Sequence, residues 1–382
     1  MKYNFDKISQ RRNTSSIKWD VKDNELPMWV ADMDFMVMPE IQDAIIDATK
    51  DASYGYTYPT VKFFLAYQYW WETRHGLKLD IKSMVFSSGV VSALDSLIRT
   101  LTKEDDAVMI LSPVYNVFYS VIENNSRKVI TSNLRYKDGD FVIDYHDVED
   151  KVKEHHVKLF IFCNPHNPVG KIWSKEEINY LYQILKKHDV MMISDEIHCD
   201  IVEPGYKYVP ALTVDKDIIT CLAPSKVFNL AGLHSAVTVV NNLELKQRIQ
   251  EAYYKDDIGE PNYFVEPATI AAYRLGATYV DELNQYLLIN KQLVKDFFKD
   301  NNLRLEVVSG PATYLLWIDI SYYQIPSEGF AKELREQTGL FITEGSHYGR
   351  NGKYFIRMNI ATSKENVLDG LNRIKQYLNN KE

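Results

Sequence analysis

The chain has 382 residues, 46% of them hydrophobic and 25% charged, which is typical of a globular protein with two domains or one large domain and a smaller attachment. Its 52 acidic and 44 basic residues give a formal net charge of −8, which argues against a nucleic-acid-binding protein because such a protein needs a basic face. No stretch approaches the roughly 20 apolar residues of a membrane span, and the N-terminus lacks the apolar core of a signal peptide. We therefore expect neither a nucleic-acid nor a membrane partner.

The three cysteines, Cys163, Cys199 and Cys221, show no spacing typical of a metal or redox pair. Each lies in or beside an apolar run, so we expect three buried thiols. This pattern favours a reducing, cytoplasmic environment.

The middle of the chain alternates apolar runs with helical segments. Continuous apolar runs indicate strands covered on both faces, and their alternation with helices predicts a mostly parallel sheet. A capping box at Ser174 and Glu177 predicts the start of one helix. The predicted strands are 107–111, 128–134, 157–163, 190–194, 218–222 and 236–240, and the predicted helices are 117–124 and 174–188.

The pattern changes after about residue 276. A long helix is predicted at 280–300, followed by few strands with flanking helices, which suggests a smaller α+β domain. The predicted strands there are 303–308, 313–320 and 354–360, and the predicted helices are 328–337 and 364–378. We expect an N-terminal segment, 1–48, that joins this small domain of 276–382, and a large domain of 49–275.

Lys226 follows the apolar run 218–224, where a predicted strand gives way to a loop. A lysine held near an apolar interior has a lowered pKa, and the neutral amine is the form that attacks an aldehyde. By itself such a lysine is more often an exposed surface residue, so its chemistry depends on the neighbouring segments.

Asp195 follows the apolar strand 190–194 and predicts a carboxylate at a strand end. Such a carboxylate needs a cationic partner, which a protonated pyridine nitrogen would supply; a helix cap or a structural ion pair is an equal alternative. Asn167 belongs to Asn-Pro-His-Asn-Pro-Val-Gly at 164–170. Its amide could donate a hydrogen bond to a phenolate oxygen, although the segment also suits a simple turn.

Two further segments follow predicted strands. Gly89 precedes a helical run and would let the backbone approach an anion at the helix N-terminus, although glycine turns before helices are common. Tyr115 could stack on a planar cofactor or pack in the core. Because ligands bind beyond the carboxyl ends of strands in a doubly wound sheet, we expect these segments to converge.

Three motifs, in this order, resemble those of the fold-type I enzymes that use pyridoxal 5'-phosphate, the aspartate aminotransferase superfamily. They are Asn-Pro-His-Asn-Pro-Val-Gly at 164–170, Ser-Asp-Glu-Ile-His at 194–198, and Ser-Lys-Val-Phe-Asn-Leu-Ala-Gly-Leu at 225–233. The resemblance implies an α/β fold with a mostly parallel central sheet, helices on both faces and a smaller α+β domain, with the cofactor in the large domain.

Motifs near the N-terminus resemble those of one branch, the MalY/PatB family of cystathionine β-lyases. They are Lys-Trp-Asp at 18–20, Trp-Val-Ala-Asp-Met-Asp-Phe at 29–35, Tyr-Gly-Tyr-Thr at 54–57 and Pro-Asn-Tyr-Phe at 261–264. The similarity covers essentially the whole chain.

The resemblance implies a role for each matching residue. Lys226 would form the imine with the cofactor and later move the Cα proton. Asp195 would pair with the pyridinium nitrogen. Asn167 would bond the ring oxygen, with His198 near the same oxygen, and Tyr115 would stack on the ring.

The resemblance also implies how the phosphate is held. The amides of Gly89, Val90 and Val91 would bind it, with Ser225 as a helper and Tyr56 reaching it from the other subunit of a homodimer. Many relatives have a serine and a basic residue where this chain has Ala223 and His234, so binding would depend more on Ser225, the backbone amides and Tyr56.

For the substrate, the resemblance implies that Arg357 grips the α-carboxylate of an L-amino acid, with Asn167 and Ala31 also in contact. The implied reaction is α,β-elimination of L-cystathionine or a related cysteine S-conjugate to a thiol, pyruvate and ammonia. An aminotransferase is the alternative, and a regulatory protein that binds the cofactor is a second. A metal hydrolase built on His198, Cys199 and Asp200 is disfavoured because adjacent residues do not form the usual spaced ligand set, so no metal is expected.

Overall fold

The computed structural model of the protein describes residues 1–381. Its α-helices in that range are α1 (Pro39–Thr49), α2 (Val61–His75), α3 (Val90–Leu101), α4 (Val117–Asn124), α5 (Tyr145–Glu154), α6 (Lys175–Lys187), α7 (Leu243–Lys255), α8 (Val265–Leu275), α9 (Ala277–Asp300), α10 (Ser327–Thr338) and α11 (Lys364–Asn379). Its strands are β1 (Leu26–Pro27), β2 (Met84–Ser87), β3 (Ala107–Ser112), β4 (Lys128–Asn133), β5 (Arg135–Lys137), β6 (Asp140–Val142), β7 (Leu159–Cys163), β8 (Met191–Asp195), β9 (Ile219–Leu222), β10 (Ala236–Val239), β11 (Glu306–Val307), β12 (Leu315–Asp319), β13 (Leu340–Phe341), β14 (Thr343–Glu344) and β15 (Phe355–Asn359).

The central sheet has seven strands in the order β2-β10-β9-β8-β7-β3-β4. The pairs from β9 to β4 are parallel, and only β10 runs antiparallel to its two neighbours. Along β7, Phe160 and Phe162 belong to one apolar core while Leu159 and Ile161 belong to another. Both faces of the sheet are therefore covered, which confirms the predicted mostly parallel α/β fold.

The predicted elements of the central sheet agree with the structure to within two residues at each end. The capping box of α6 is present: the Ser174 hydroxyl accepts from Glu177 N–H at 3.1 Å, and Ser174 N–H donates to the Glu177 carboxylate at 2.7 Å. The strand predicted at 303–308 is largely wrong, because only Glu306–Val307 is extended in the sheet. The amide of Leu303 instead bonds the Phe298 carbonyl at 2.9 Å and closes the end of α9.

A second, antiparallel sheet has the order β11-β12-β15-β14. The N-terminal segment joins this part of the chain, since β1 pairs in parallel with β13. The exact domain boundaries stay a prediction. Within residues 1–381, none of the helices is both long enough and apolar enough to cross a membrane.

A buried ion pair anchors the N-terminal segment. Lys18 Nζ lies 2.9 Å from Asp34 Oδ1, both side chains are 1% exposed, and Trp19 Nε1 donates to the same oxygen at 2.7 Å. Since removing one partner leaves an uncompensated buried charge, we expect Lys18→Met to lower the free energy of unfolding by about 3–5 kcal/mol in urea denaturation.

The exposed pair of Lys50 and Asp47 provides the control for this prediction, because Lys50→Met should leave the urea midpoint unchanged. The double variant Lys18→Met with Asp34→Leu should recover part of the loss. Equal midpoints for Lys18→Met and the unaltered protein would show that this pair does not stabilise the segment.

Candidate active site

The carboxyl ends of three neighbouring strands bring polar side chains together. Asp195 is the last residue of β8, Asn167 lies in the loop after β7, and Lys226 lies four residues beyond the end of β9. Arg357 approaches from β15 of the second sheet, and its guanidinium donates to Asn167 Oδ1 at 3.3 Å. The edge of the central sheet and the smaller sheet thus form one site.

Lys226 is half-buried, and its Nζ donates to the Ala31 carbonyl at 2.8 Å. Burial is the main cause that lowers the pKa of Lys226 to about 8, and the positive charge of Arg357 contributes, against the opposing effects of Asp32 and Asp195. A substantial fraction of this amine is therefore neutral near physiological pH, the state needed for attack on a carbonyl or for taking a proton.

Asp195 is a buried carboxylate, 4% exposed, whose Oδ1 accepts from the Ile197 N–H at 3.1 Å. Burial raises the pKa of Asp195 to about 6, although Lys226 lowers it in part. Within residues 1–381 it forms no ion pair shorter than 4.0 Å. A buried carboxylate without a close cation fits a ligand that brings a positive charge.

Arg357, conversely, is a buried cation without a close anionic partner. It is 4% exposed, its Nη2 donates to the Trp29 carbonyl at 2.8 Å, and its guanidinium lies 4.5 Å from the centre of the Tyr348 ring. Its Nε is buried without a hydrogen-bond partner, and in the described part of the chain no carboxylate pairs with it. A bidentate carboxylate is the ligand that such a guanidinium binds best.

Two more side chains keep unused hydrogen-bonding capacity. Asn167 Oδ1 accepts from the Arg357 guanidinium, and Asn167 Nδ2 makes no hydrogen bond within residues 1–381, so this nitrogen can donate to a ligand. His198 is buried with an unpartnered Nδ1, and its ring lies 6.4 Å from that of Tyr314. Burial lowers the pKa of His198 to about 3, so the imidazole is neutral.

The start of α3, which directly follows strand β2 of the same sheet, is the segment predicted to bind a phosphate. Gly89 precedes the helix with a φ of 128°, a conformation that favours glycine, and the space where a side chain would project is open for 4 Å. The amides of Val90 and Val91 lie in the first helical turn, where they have no intrahelical acceptor. This helix end can bind an anion such as a phosphate.

The remaining predicted residues differ in their placement. Tyr115 lies within electrostatic range of Arg357 and Asp195, and burial raises its pKa. Ser225 is half-buried beside Lys226. Tyr56 is fully exposed, so a single chain does not bring it into the site.

The motif at 29–35 contributes mainly through its backbone, which sequence reasoning did not anticipate. Its carbonyls accept from Lys226 and Arg357, and Asn359 Nδ2 bonds two more of them, those of Val30 at 2.6 Å and Asp32 at 2.8 Å. The N-terminal segment is thereby fixed against both the Lys226 amine and the Arg357 guanidinium.

One group of possible metal ligands in the described residues differs from the set considered in the sequence, because His75 takes the place of His198. His75, Cys199 and Asp200 offer ligand atoms within 4.8 Å of one another. However, Asp200 already accepts from Trp70 Nε1 at 3.0 Å and His75 Nε2 at 2.9 Å, and Arg74 Nε lies 3.2 Å from it. A guanidinium at that distance repels a metal cation, so this cluster is a structural ion pair that attaches α2.

Comparison with known proteins gives a consistent result over the full length. The family model for class I and II aminotransferases matches residues 26–374. The chain is 36% identical to cystathionine beta-lyase PatB of Bacillus subtilis over 98% of this chain and 100% of that protein, and 28% identical to protein MalY of Escherichia coli over 97% of each. The crystal structure of the PLP-bound C-S lyase from Staphylococcus hominis superposes with a TM-score of 0.93 at 34% identity, covering 98% of both chains.

Proposed function

Since the chain belongs to the class I and II aminotransferase family, and within it to the branch of PatB and MalY, we propose that it is a pyridoxal-phosphate-dependent carbon–sulfur β-lyase. Its substrates are L-cystathionine or related L-cysteine S-conjugates, and its products are a thiol, pyruvate and ammonia. The observation that carries this proposal is that one short backbone segment holds both groups: Lys226 Nζ donates to the Ala31 carbonyl, and Arg357, a guanidinium that lacks an anionic partner, donates to the Trp29 carbonyl.

The residues present fit the cofactor. Asp195 offers a negative charge for a pyridinium nitrogen, the Nδ2 of Asn167 offers a donor for a ring oxygen, and the amides that follow Gly89 offer donors for a phosphate. Bound pyridoxal phosphate supplies an aldehyde that condenses with amines and a ring that accepts the electron pair left on Cα.

Arg357 and Asn167 orient the substrate. The guanidinium takes the α-carboxylate, and its existing bonds to the Trp29 carbonyl and to Asn167 keep it from turning away. With the carboxylate fixed, the Cα–H bond is directed towards Lys226, and this positioning lowers the entropic part of the barrier.

Lys226 moves the proton. Its neutral amine takes the proton from Cα, the electron pair released there expels the thiolate as the C–S bond breaks, and the ammonium formed on Lys226 returns its proton to the leaving sulfur. The remaining three-carbon fragment takes up water and leaves as pyruvate and ammonia. Neutral His198, whose Nδ1 has no partner in the chain, would offer a hydrogen bond to the bound cofactor without adding a competing positive charge.

A direct assay separates the lyase from an aminotransferase, for which the same lysine, aspartate and arginine would serve. Pyruvate formation from L-cystathionine should proceed without added keto acid in the unaltered protein and should fall by about a thousandfold or more in Lys226→Ala. Turnover only with 2-oxoglutarate present would favour the aminotransferase. Full biological activity of Lys226→Ala would instead favour a regulatory protein that binds the cofactor.

The pH dependence of kcat follows from the pKa of Lys226. Because only the neutral amine takes the Cα proton, kcat should rise about tenfold per pH unit up to the pKa of about 8 and level off above it. Asp32 raises this pKa, so Asp32→Asn should move the inflection to lower pH, as steady-state rates between about pH 6 and 10 would show. An inflection that does not move would contradict the assigned base.

We further propose a cytoplasmic homodimer in which Tyr56 reaches the phosphate of the neighbouring subunit. The complete exposure of this ring in the single chain, together with the exposed Tyr54 and Tyr58, supports an interface there. Sedimentation velocity of the holoenzyme tests it, since a monomeric species with full activity would exclude a shared site.

A further inference from the structure

A cavity of about 480 Å³ adjoins the candidate active site through Asp32. Asp32 and Asn229 line this cavity, and Lys226 Nζ donates to the carbonyl of Ala31, the residue before Asp32, at 2.8 Å, so the cavity lies close to the Lys226 amine. Arg11 lines the same cavity, and the side chains at 35–37 provide an apolar wall. A ligand held by Lys226 and Arg357 can therefore extend towards this cavity.

Arg11 and Asp32, which both line the cavity, form an ion pair. Arg11 Nη2 lies 2.6 Å from Asp32 Oδ2, and the side chains are 23% and 20% exposed. Arg11 Nη1 also donates to the Met33 carbonyl at 3.2 Å, which holds the guanidinium in place. The cavity thus presents a fixed positive and a fixed negative charge side by side in a partly desolvated setting, where charge pairs interact more strongly than in bulk water.

This arrangement is complementary to an amino-acid zwitterion, in which a carboxylate and an ammonium group share one carbon. We propose that the cavity binds the amino-acid head of the leaving group, with its carboxylate on Arg11 and its ammonium on Asp32. The methylene groups next to the sulfur would then pack on the apolar wall at 35–37. This inference rests on the proposed function and narrows its substrate class to thioethers that carry a zwitterionic leaving group.

A comparison of substrates tests the proposal. For Arg11→Gln, we expect kcat/KM with L-cystathionine to fall about ten- to a hundredfold more than with S-ethyl-L-cysteine, which has an uncharged leaving group, and we expect the difference to appear mainly in KM. A general loss of structure would lower kcat/KM equally for both substrates.

Two more substrates, each with a single charged group on the leaving group, test the role of Arg11 separately from that of Asp32. Arg11→Gln should affect S-(2-carboxyethyl)-L-cysteine more than S-(2-aminoethyl)-L-cysteine, and Asp32→Asn should show the reverse order. Because Asp32 also acts on the pKa of Lys226, the two variants are compared above the inflection of kcat. Lys7→Gln, which removes an exposed charge on the same segment, is the control and should leave all four values unchanged.

Equal losses of kcat/KM with all four substrates, or no loss in either variant, would overturn the proposed subsite but not the proposed lyase function. If the unaltered enzyme releases pyruvate from none of the four, the proposed function itself fails, and the subsite fails with it. The two failures are thus distinguished by the activity of the unaltered protein.

Discussion

Lys226→Ala should lower the rate of pyruvate formation from L-cystathionine by about a thousandfold or more, because it removes both the group that binds the cofactor and the base that takes the Cα proton. The purified variant should also lose the visible absorption that pyridoxal phosphate gives when joined to a lysine. Truncation removes one side-chain hydrogen bond, to the Ala31 carbonyl, so the fold should persist.

Lys216→Ala is the matched control for this variant. Lys216 is exposed and lies only ten residues earlier, so its removal should change neither the spectrum nor the rate. Circular dichroism establishes that both variants are folded. A Lys226→Ala protein that keeps its visible absorption and more than about a tenth of its activity would show that another amine does the chemistry.

The sequence predicted the parts of the fold that burial determines. The strands of the central sheet read as continuous apolar runs because helices cover both of their faces, and β7 shows the two cores directly. The antiparallel direction of β10 was not predictable in the same way. Apolar composition carries no information on strand direction, which is set by the connection after β9.

Helices α1 and α2 show another limit of the sequence. Neither was predicted, although α2 buries Phe63, Tyr67, Trp70 and Trp71. These buried residues do recur at helical spacing, but Val61 and Tyr69 are exposed and Phe64 and Leu65 are half-buried. Because apolar and aromatic side chains thus lie on the other faces of the helix as well, the buried stripe does not stand out in the sequence.

The candidate site was predictable where a motif ends a strand, because strand ends in such a sheet converge. The contributions that backbone groups and residues distant in sequence make to the site were not predictable. The Trp29 carbonyl and the Tyr348 ring both contact Arg357, yet a carbonyl carries no residue-specific signal and Tyr348 lies in a short helical turn without a motif. Tyr56 is fully exposed in one chain, so its contact with the phosphate of a neighbouring subunit stays a prediction.

Asp195→Asn should lower kcat by about a hundred- to a thousandfold while the protein stays folded. Asparagine has the same shape and can keep an acceptor for the Ile197 N–H, but it cannot neutralise a pyridinium nitrogen, so the ring accepts the Cα electron pair less readily. Because no cation within residues 1–381 pairs closely with Asp195, the substitution leaves no protein charge unpaired at short range. Its cost should therefore appear in the chemical step rather than in stability.

Asp200→Asn gives the opposite expectation and serves as the control for Asp195→Asn. Asp200 is a buried carboxylate that already pairs with Arg74 and His75, so its neutralisation should lower the free energy of unfolding by about 3 kcal/mol while the kcat of the folded fraction stays the same. Urea denaturation and initial rates on both variants separate the two cases. A stability loss without a fall in kcat for Asp195→Asn would make it a structural carboxylate like Asp200 and remove the cofactor-pairing role from the site.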